Sequence, residues 1–119
     1  YIAHTVVELG LGIIKLRGHY AHEDPDEKPL QSQLYVRHHA AALLALSLLG
    51  GLVVRRGLTH TETGAITSAA LAVFHVGAVM ANAWTWLQGA VGLLKIVVPH
   101  LPFAIGFVWH AATHKKSYA

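Results

Sequence analysis

GAITSAALAVFHVGAVMANAWTW, Gly64 to Trp86, is a membrane-length apolar run with a single ionisable residue, His75, near its middle. Counted by threes and fours, Ser68, Ala72, His75, Val79, Asn82 and Trp86 share one helical face, while Ala70, Leu71, Val73 and Val76 point elsewhere. A polar seam therefore runs down an otherwise apolar helix. A polar side chain in hydrocarbon has no partners and costs several kcal/mol, so such a seam turns toward protein or a ligand.

The rest of the chain has the same character. Of its 119 residues, 54% are hydrophobic, more than a soluble domain of this length needs for its core. Spans of about 20 residues fit four times, with short loops between them. We therefore expect an all-α integral membrane bundle of four transmembrane helices, one domain over residues 1–119. The absence of cysteine removes disulfides, thiolate metal sites and thiol catalysis together. The net charge of +3 arises from loops and helix ends, with no basic patch interleaved with aromatics, so nucleic acid is not an expected partner.

Before the central run, Tyr1 to Leu16 forms a first segment that is short for a span. Because it begins at Tyr1 with almost no polar lead, we expect further chain upstream, either a removed organellar targeting sequence or a tail. His4, Thr5, Glu8, Gly12 and Lys15 occupy one broad face, opposite Val6, Leu9, Ile13 and Leu16. Glu8 reads either as a carboxyl kept neutral or paired within the bundle, or as a proton relay or ligand. One turn earlier, His4 is within easy hydrogen-bonding reach of it.

The polar stretch from Gly18 to Gln33 reads as a solvated loop. Its acids, with His19 and His22, match neither a calcium loop nor a zinc helix motif. A second span follows from about Leu34 to Val54. Ala40, Ala41, Ala42, Ala45, Ser47, Gly50 and Gly51 make its surface small, which lets helix backbones approach closely in lipid. His38 and His39 sit near its start, placed for headgroup contact or, for one of them, axial ligation of a tetrapyrrole.

Thr59 followed three residues later by Glu62 has capping-box spacing and marks the start of the third helix, with His60 in an exposed first turn. Trp84 and Trp86 at its far end suit a membrane interface. The fourth segment contains Pro99 and Pro102, so we expect it to be kinked from about Leu93, or to be a helix from Pro99 to His114 preceded by a re-entrant or interfacial lead-in. His100, Phe103, Phe107, His110 and His114 share a face there. Basic residues divide almost evenly between the two ends of the four segments, so orientation is not set.

Depth ties the histidines together. At about 1.5 Å per residue, His75 lies roughly 16 Å into its span, His100 roughly 10 to 14 Å from the opposite face, and Glu8 about 12 Å from the end near Leu16. Facing midplane histidines are what a b-type haem requires, whereas chlorophyll magnesium takes one axial donor. The competing reading is a histidine bonded to Asn82, Ser68 or Glu8. His110 and His114 have the His-x3-His interval of helical metal sites but lack a third ligand nearby.

No phosphate loop, nucleophile elbow, HExxH motif or paired-carboxylate site occurs, so no catalytic residue and no metal site is assigned. We expect a non-catalytic accessory subunit of a large energy-transducing membrane complex, a photosystem or a respiratory complex, in a thylakoid or mitochondrial inner membrane. Its partners would be lipid, other subunits and pigments, with chlorophyll or another tetrapyrrole held through His75, His100, His39 or His4, and Glu8, Asn82 and Ser68 forming the polar seam. Two rivals are a haem b redox protein using His75 and His100, and a small proton-coupled carrier relying on Glu8.

Overall fold

The structure is a computed structural model that describes residues 1–17, 30–89 and 93–114, with side chains described outside 30–33, 93–99 and 114. Among the described residues there are four α-helices and no strand: α1 (Ile2–Leu16), α2 (Leu30–Arg55), α3 (Glu62–Leu87) and α4 (Leu93–His114). They form two compact units, residues 1–56 and 57–119, each a helical hairpin.

In the first hairpin, residues late in α1 meet residues early in α2. Ser47 Oγ donates to the Thr5 carbonyl at 2.9 Å, and Lys15 Nζ donates to His39 Nδ1 at 3.0 Å, which fixes an antiparallel pairing. The buried residues of α1, His4, Glu8 and Gly12, recur every fourth position, and those of α2, Ala40, Leu43, Ser47, Gly50 and Val53, every third or fourth. Two glycines set the approach. A Cβ on Gly12 would lie 2.8 Å from Leu44 Cδ2, and one on Gly50 would lie 2.8 Å from Thr5 Oγ1. The small-residue surface is narrower than the sequence suggests, because Ala41, Ala42 and Ala45 are exposed. The loop expected over residues 18–33 also ends sooner, since Leu30 to Gln33 already belong to α2; His19, His22 and the acids lie outside the described residues.

In the second hairpin, α3 begins at Glu62. Its N-cap is Thr61, whose Oγ1 accepts from Gly64 N at 3.3 Å and donates to the Leu58 carbonyl at 2.7 Å. The start signal was thus correctly located in this tetrapeptide, but the capping side chain is Thr61 and not Thr59. Gly64 admits no side chain: a Cβ there would collide with the Leu58 carbonyl and sit 2.6 Å from the Thr59 carbonyl. Gly64, Thr67, Ser68, Leu71, Ala72 and His75 are buried, so Leu71 belongs to the inward face, three residues from Ser68 and four from His75. Toward its C-terminal end the seam loosens, with Asn82 half-buried and Trp86 exposed. α4 is one helix from Leu93 through Pro99 and Pro102, without the separate lead-in segment. Ala104 and Phe107 are its buried apolar residues.

Candidate functional site

Buried polarity distinguishes both hairpins. In the second, the period of α3 places His75 at full burial, and the antiparallel return of α4 brings His100 opposite it, so that their Nδ1 atoms are 3.2 Å apart. At that distance one imidazole donates its Nδ1–H to the other. Phenylalanine rings enclose the pair. Phe74 stands edge-on to His75 at 5.1 Å between centroids, Phe103 is tilted at 5.3 Å, and Phe107 stacks within 17° at 6.0 Å. Phe74 also stands edge-on to His100, at 6.4 Å.

This geometry bears on haem. An iron with an imidazole nitrogen about 2.0 Å away on each side needs the two nitrogens about 4 Å apart, with a macrocycle between them. A direct contact of 3.2 Å leaves no space for that ring. As placed, each Nδ1 is answered by the other.

A second cluster lies two to three turns along the same hairpin. Ser68, fully buried, bonds His110 Nδ1 at 2.8 Å, and the ring of His60, in the turn before α3, is 6.4 Å from that of His110. His60 is exposed and His110 half-buried, so this cluster runs from the interior to the surface. Ser68 was expected among the polar seam residues, but its partner, 42 positions away, is visible only once the hairpin closes. His114 lies outside the residues with described side chains.

In the first hairpin His4 and Glu8 are buried on the inward side of α1, and the Gly50 backbone comes close to both His4 and Thr5. His38 and His39 are exposed. Lys15 has only hydrogens to offer, so His39 Nδ1 is the acceptor and the proton of the neutral ring sits on Nε2. That tautomer presents a donor, not a metal ligand.

Much of the remaining described surface is apolar, apart from exposed charged residues such as Arg37, Arg55, Arg56 and Glu62. Ile2, Val6, Val73, Met80, Trp84 and Leu87 are each more than 60% exposed, as are Ile105 and Trp109. Along α3 and α4 runs an open apolar groove of about 440 Å³, lined by residues including Val76, Met80, Leu101, Ile105 and Trp109. Over Leu34–Arg55 and Glu62–Leu87 the helices are long and apolar enough to cross a bilayer, and 28% and 33% of an 18-residue apolar window in each is buried. A core helix of a soluble protein would be mostly enclosed.

No protein-family model matches the chain, and neither a curated protein nor a solved structure matches it.

Proposed function

We propose that this chain is a non-catalytic, membrane-embedded subunit of a larger energy-transducing complex, photosynthetic or respiratory, in which all four helices cross the bilayer. The observation that carries the reading is the inverted distribution of side chains: His4, Glu8, Ser47, Thr67, Ser68 and His75 are inside, while leucine, isoleucine, valine and tryptophan form the exterior. In water that exterior would be an aggregation surface. Among lipid chains and neighbouring subunits it is the favourable arrangement, because only the polar groups then need partners from the protein itself. Close packing at Gly12 and Gly50 supports the same reading, since helix association in lipid relies on backbone proximity.

A thylakoid or mitochondrial inner membrane is the setting in which such minimal helical subunits would be at home, and a tetrapyrrole held by histidine belongs to the proposal. The ligand would be supplied most simply by a histidine near the surface, since His75 is enclosed by His100 and three phenylalanines.

The test is purification from native membranes in a mild detergent through a tag on this chain. The expected result is migration in a complex many times its own mass. A chain that is extracted alone, with no partner and no visible absorption, overturns the proposal.

Glu8 supports a second reading. A carboxyl only 1% exposed, on a helix whose outer face is wholly apolar, is the kind of group that proton-coupled carriers use. That reading requires a pH-driven flux in liposomes that Glu8→Gln abolishes; equal flux in the two proteins removes it.

A further inference from the structure

The cluster at the turn end of the second hairpin has the construction of a metal site. His60 leaves the turn between Gly57 and the Thr61 cap and is exposed; His110 reaches it from the last turns of α4. Their ring centroids are 6.4 Å apart and their planes differ by 34°. An imidazole bound through nitrogen at about 2.0 to 2.1 Å puts its centroid about 3.2 Å from the ion. Two such rings are then about 5.2 Å apart at a tetrahedral angle and about 6.4 Å apart when opposite, so the observed spacing needs at most about 1 Å of approach. An exposed side chain on a turn can supply that by a rotamer change.

The inner nitrogen of His110 adds an independent observation. Its Nδ1 is held by Ser68 Oγ at 2.8 Å, from a serine with no exposed surface. Ligating histidines nearly always have their second ring nitrogen fixed in this way, which sets the tautomer and aims the other nitrogen at the ion. Here the contact leaves Nε2 as the nitrogen to meet an ion, with the His60 ring 6.4 Å away. In the sequence, His114 follows His110 by four residues, the interval at which one helix presents two imidazoles to one ion. The spacing alone lacked a third donor, and the fold brings His60 beside His110. Glu62, exposed at the first position of α3, adds negative charge two residues from His60.

From this geometry we infer that His60 and His110 bind a divalent transition ion of the zinc class, with Ser68 as the positioning residue and the site open to water at the membrane surface. Neither the haem nor the subunit reading requires it. A metal taken up here would tie the turn preceding α3 to the end of α4 and close the hairpin from its water-facing end.

The experiment is a Co²⁺ and Zn²⁺ titration of the full chain, purified in detergent without a polyhistidine tag and freed of metal. Co²⁺ gives intense visible bands when four-coordinate, and competition with Zn²⁺ gives the zinc affinity. The expected result is one ion per chain at micromolar concentration, weakened at least 10-fold by His60→Ala or His110→Ala and unchanged in His38→Ala, which alters an exposed histidine of the other hairpin. Ser68→Ala should weaken binding about 10- to 100-fold, as loss of an outer-shell partner does, with the helical circular dichroism of the metal-free protein preserved. Binding only at millimolar metal, or binding unaltered in the double variant His60→Ala/His110→Ala, overturns the inference.

Discussion

A buried imidazole costs less when its polar nitrogens are answered, and for Nδ1 of His75 the answer is His100. Replacing either one by phenylalanine keeps an aromatic ring, somewhat larger, and strands the other, which costs about 1 to 3 kcal/mol, whereas replacing both removes the demand along with the supply. We therefore expect His75→Phe and His100→Phe each to lower stability in a denaturant titration of the detergent-solubilised protein, and the double variant to lose clearly less than the sum. Simple additivity would mean that the 3.2 Å contact contributes nothing. Glycines allow a second test at this scale. Gly64→Ala pushes a methyl group into backbone carbonyls that cannot move aside, and it should destabilise the second hairpin by about 1 to 3 kcal/mol or more. Gly77→Ala meets nothing within 4 Å and should be neutral or stabilising by up to about 1 kcal/mol, from helix propensity alone. At this scale the sequence was legible where a residue's role depends on near neighbours. Period alone turned His4 and Glu8 inward and Val6 and Leu9 outward. The Ser68–His110 pair, 42 positions apart, was out of its reach, because a face says which side is buried and not which side chain arrives opposite; His75 and His100 were brought together by depth, though as facing ligands and not as hydrogen-bonding partners.

At the level of the helices, the ends and the packing surfaces carry most of the specificity. Capping by Thr61 satisfies one of the orphan amides of α3, and Thr61→Ala should cost about 0.5 to 2 kcal/mol, with Thr59→Ala near zero. Equal costs would restore the earlier threonine as the cap. The misplacement has a local cause: Thr-x-x-Glu spacing fits Thr59 and Glu62, yet the close approach of Gly64 to the Leu58 and Thr59 carbonyls shows the turn still coiling there. The prolines of α4 left two readings open, and the structure takes the single helix from Leu93. A proline removes one intrahelical donor, but the freed carbonyl can be answered locally, and the helix continues through both prolines. In the first hairpin, contact relies on glycine at two levels, and Gly50→Val should separate α1 from α2 there, because its side chain would overlap Thr5 and His4. Disulfide trapping between cysteines introduced at Thr5 and Ser47 measures this; formation as fast as in the parent background would show that the two helices do not depend on that gap.

For the chain as a whole, the decisive property is which kind of atom faces outward. Polar and titratable side chains occupy the interior of a protein only when the surroundings are less hospitable to them than the protein is. Each hairpin meets that condition separately: α1 keeps His4 and Glu8 inside and Ile2, Val6 and Ile14 outside, and α3 keeps Ser68 and His75 inside and Val73, Met80 and Leu87 outside. Composition alone already pointed to a bilayer. What it could not show is how much of each apolar helix the fold encloses; Leu34–Arg55 and Glu62–Leu87 are long and apolar enough to cross a membrane, and about a third or less of their most apolar windows is buried. Two tryptophans make the consequence measurable. Trp109 is 72% exposed on the outer face of α4, five residues before its end, and Trp84 is 67% exposed near the end of α3. If that exterior meets hydrocarbon, reconstitution into vesicles whose acyl chains carry bromine should quench both, most strongly with bromine placed near the headgroup, because each ring stands near a helix end. Water-soluble iodide should quench either ring far less than it quenches free tryptophan. Efficient iodide quenching of Trp109, with no effect of brominated lipid on either ring, would put this exterior in water, and the inverted arrangement of side chains would then have to be explained by a protein partner alone.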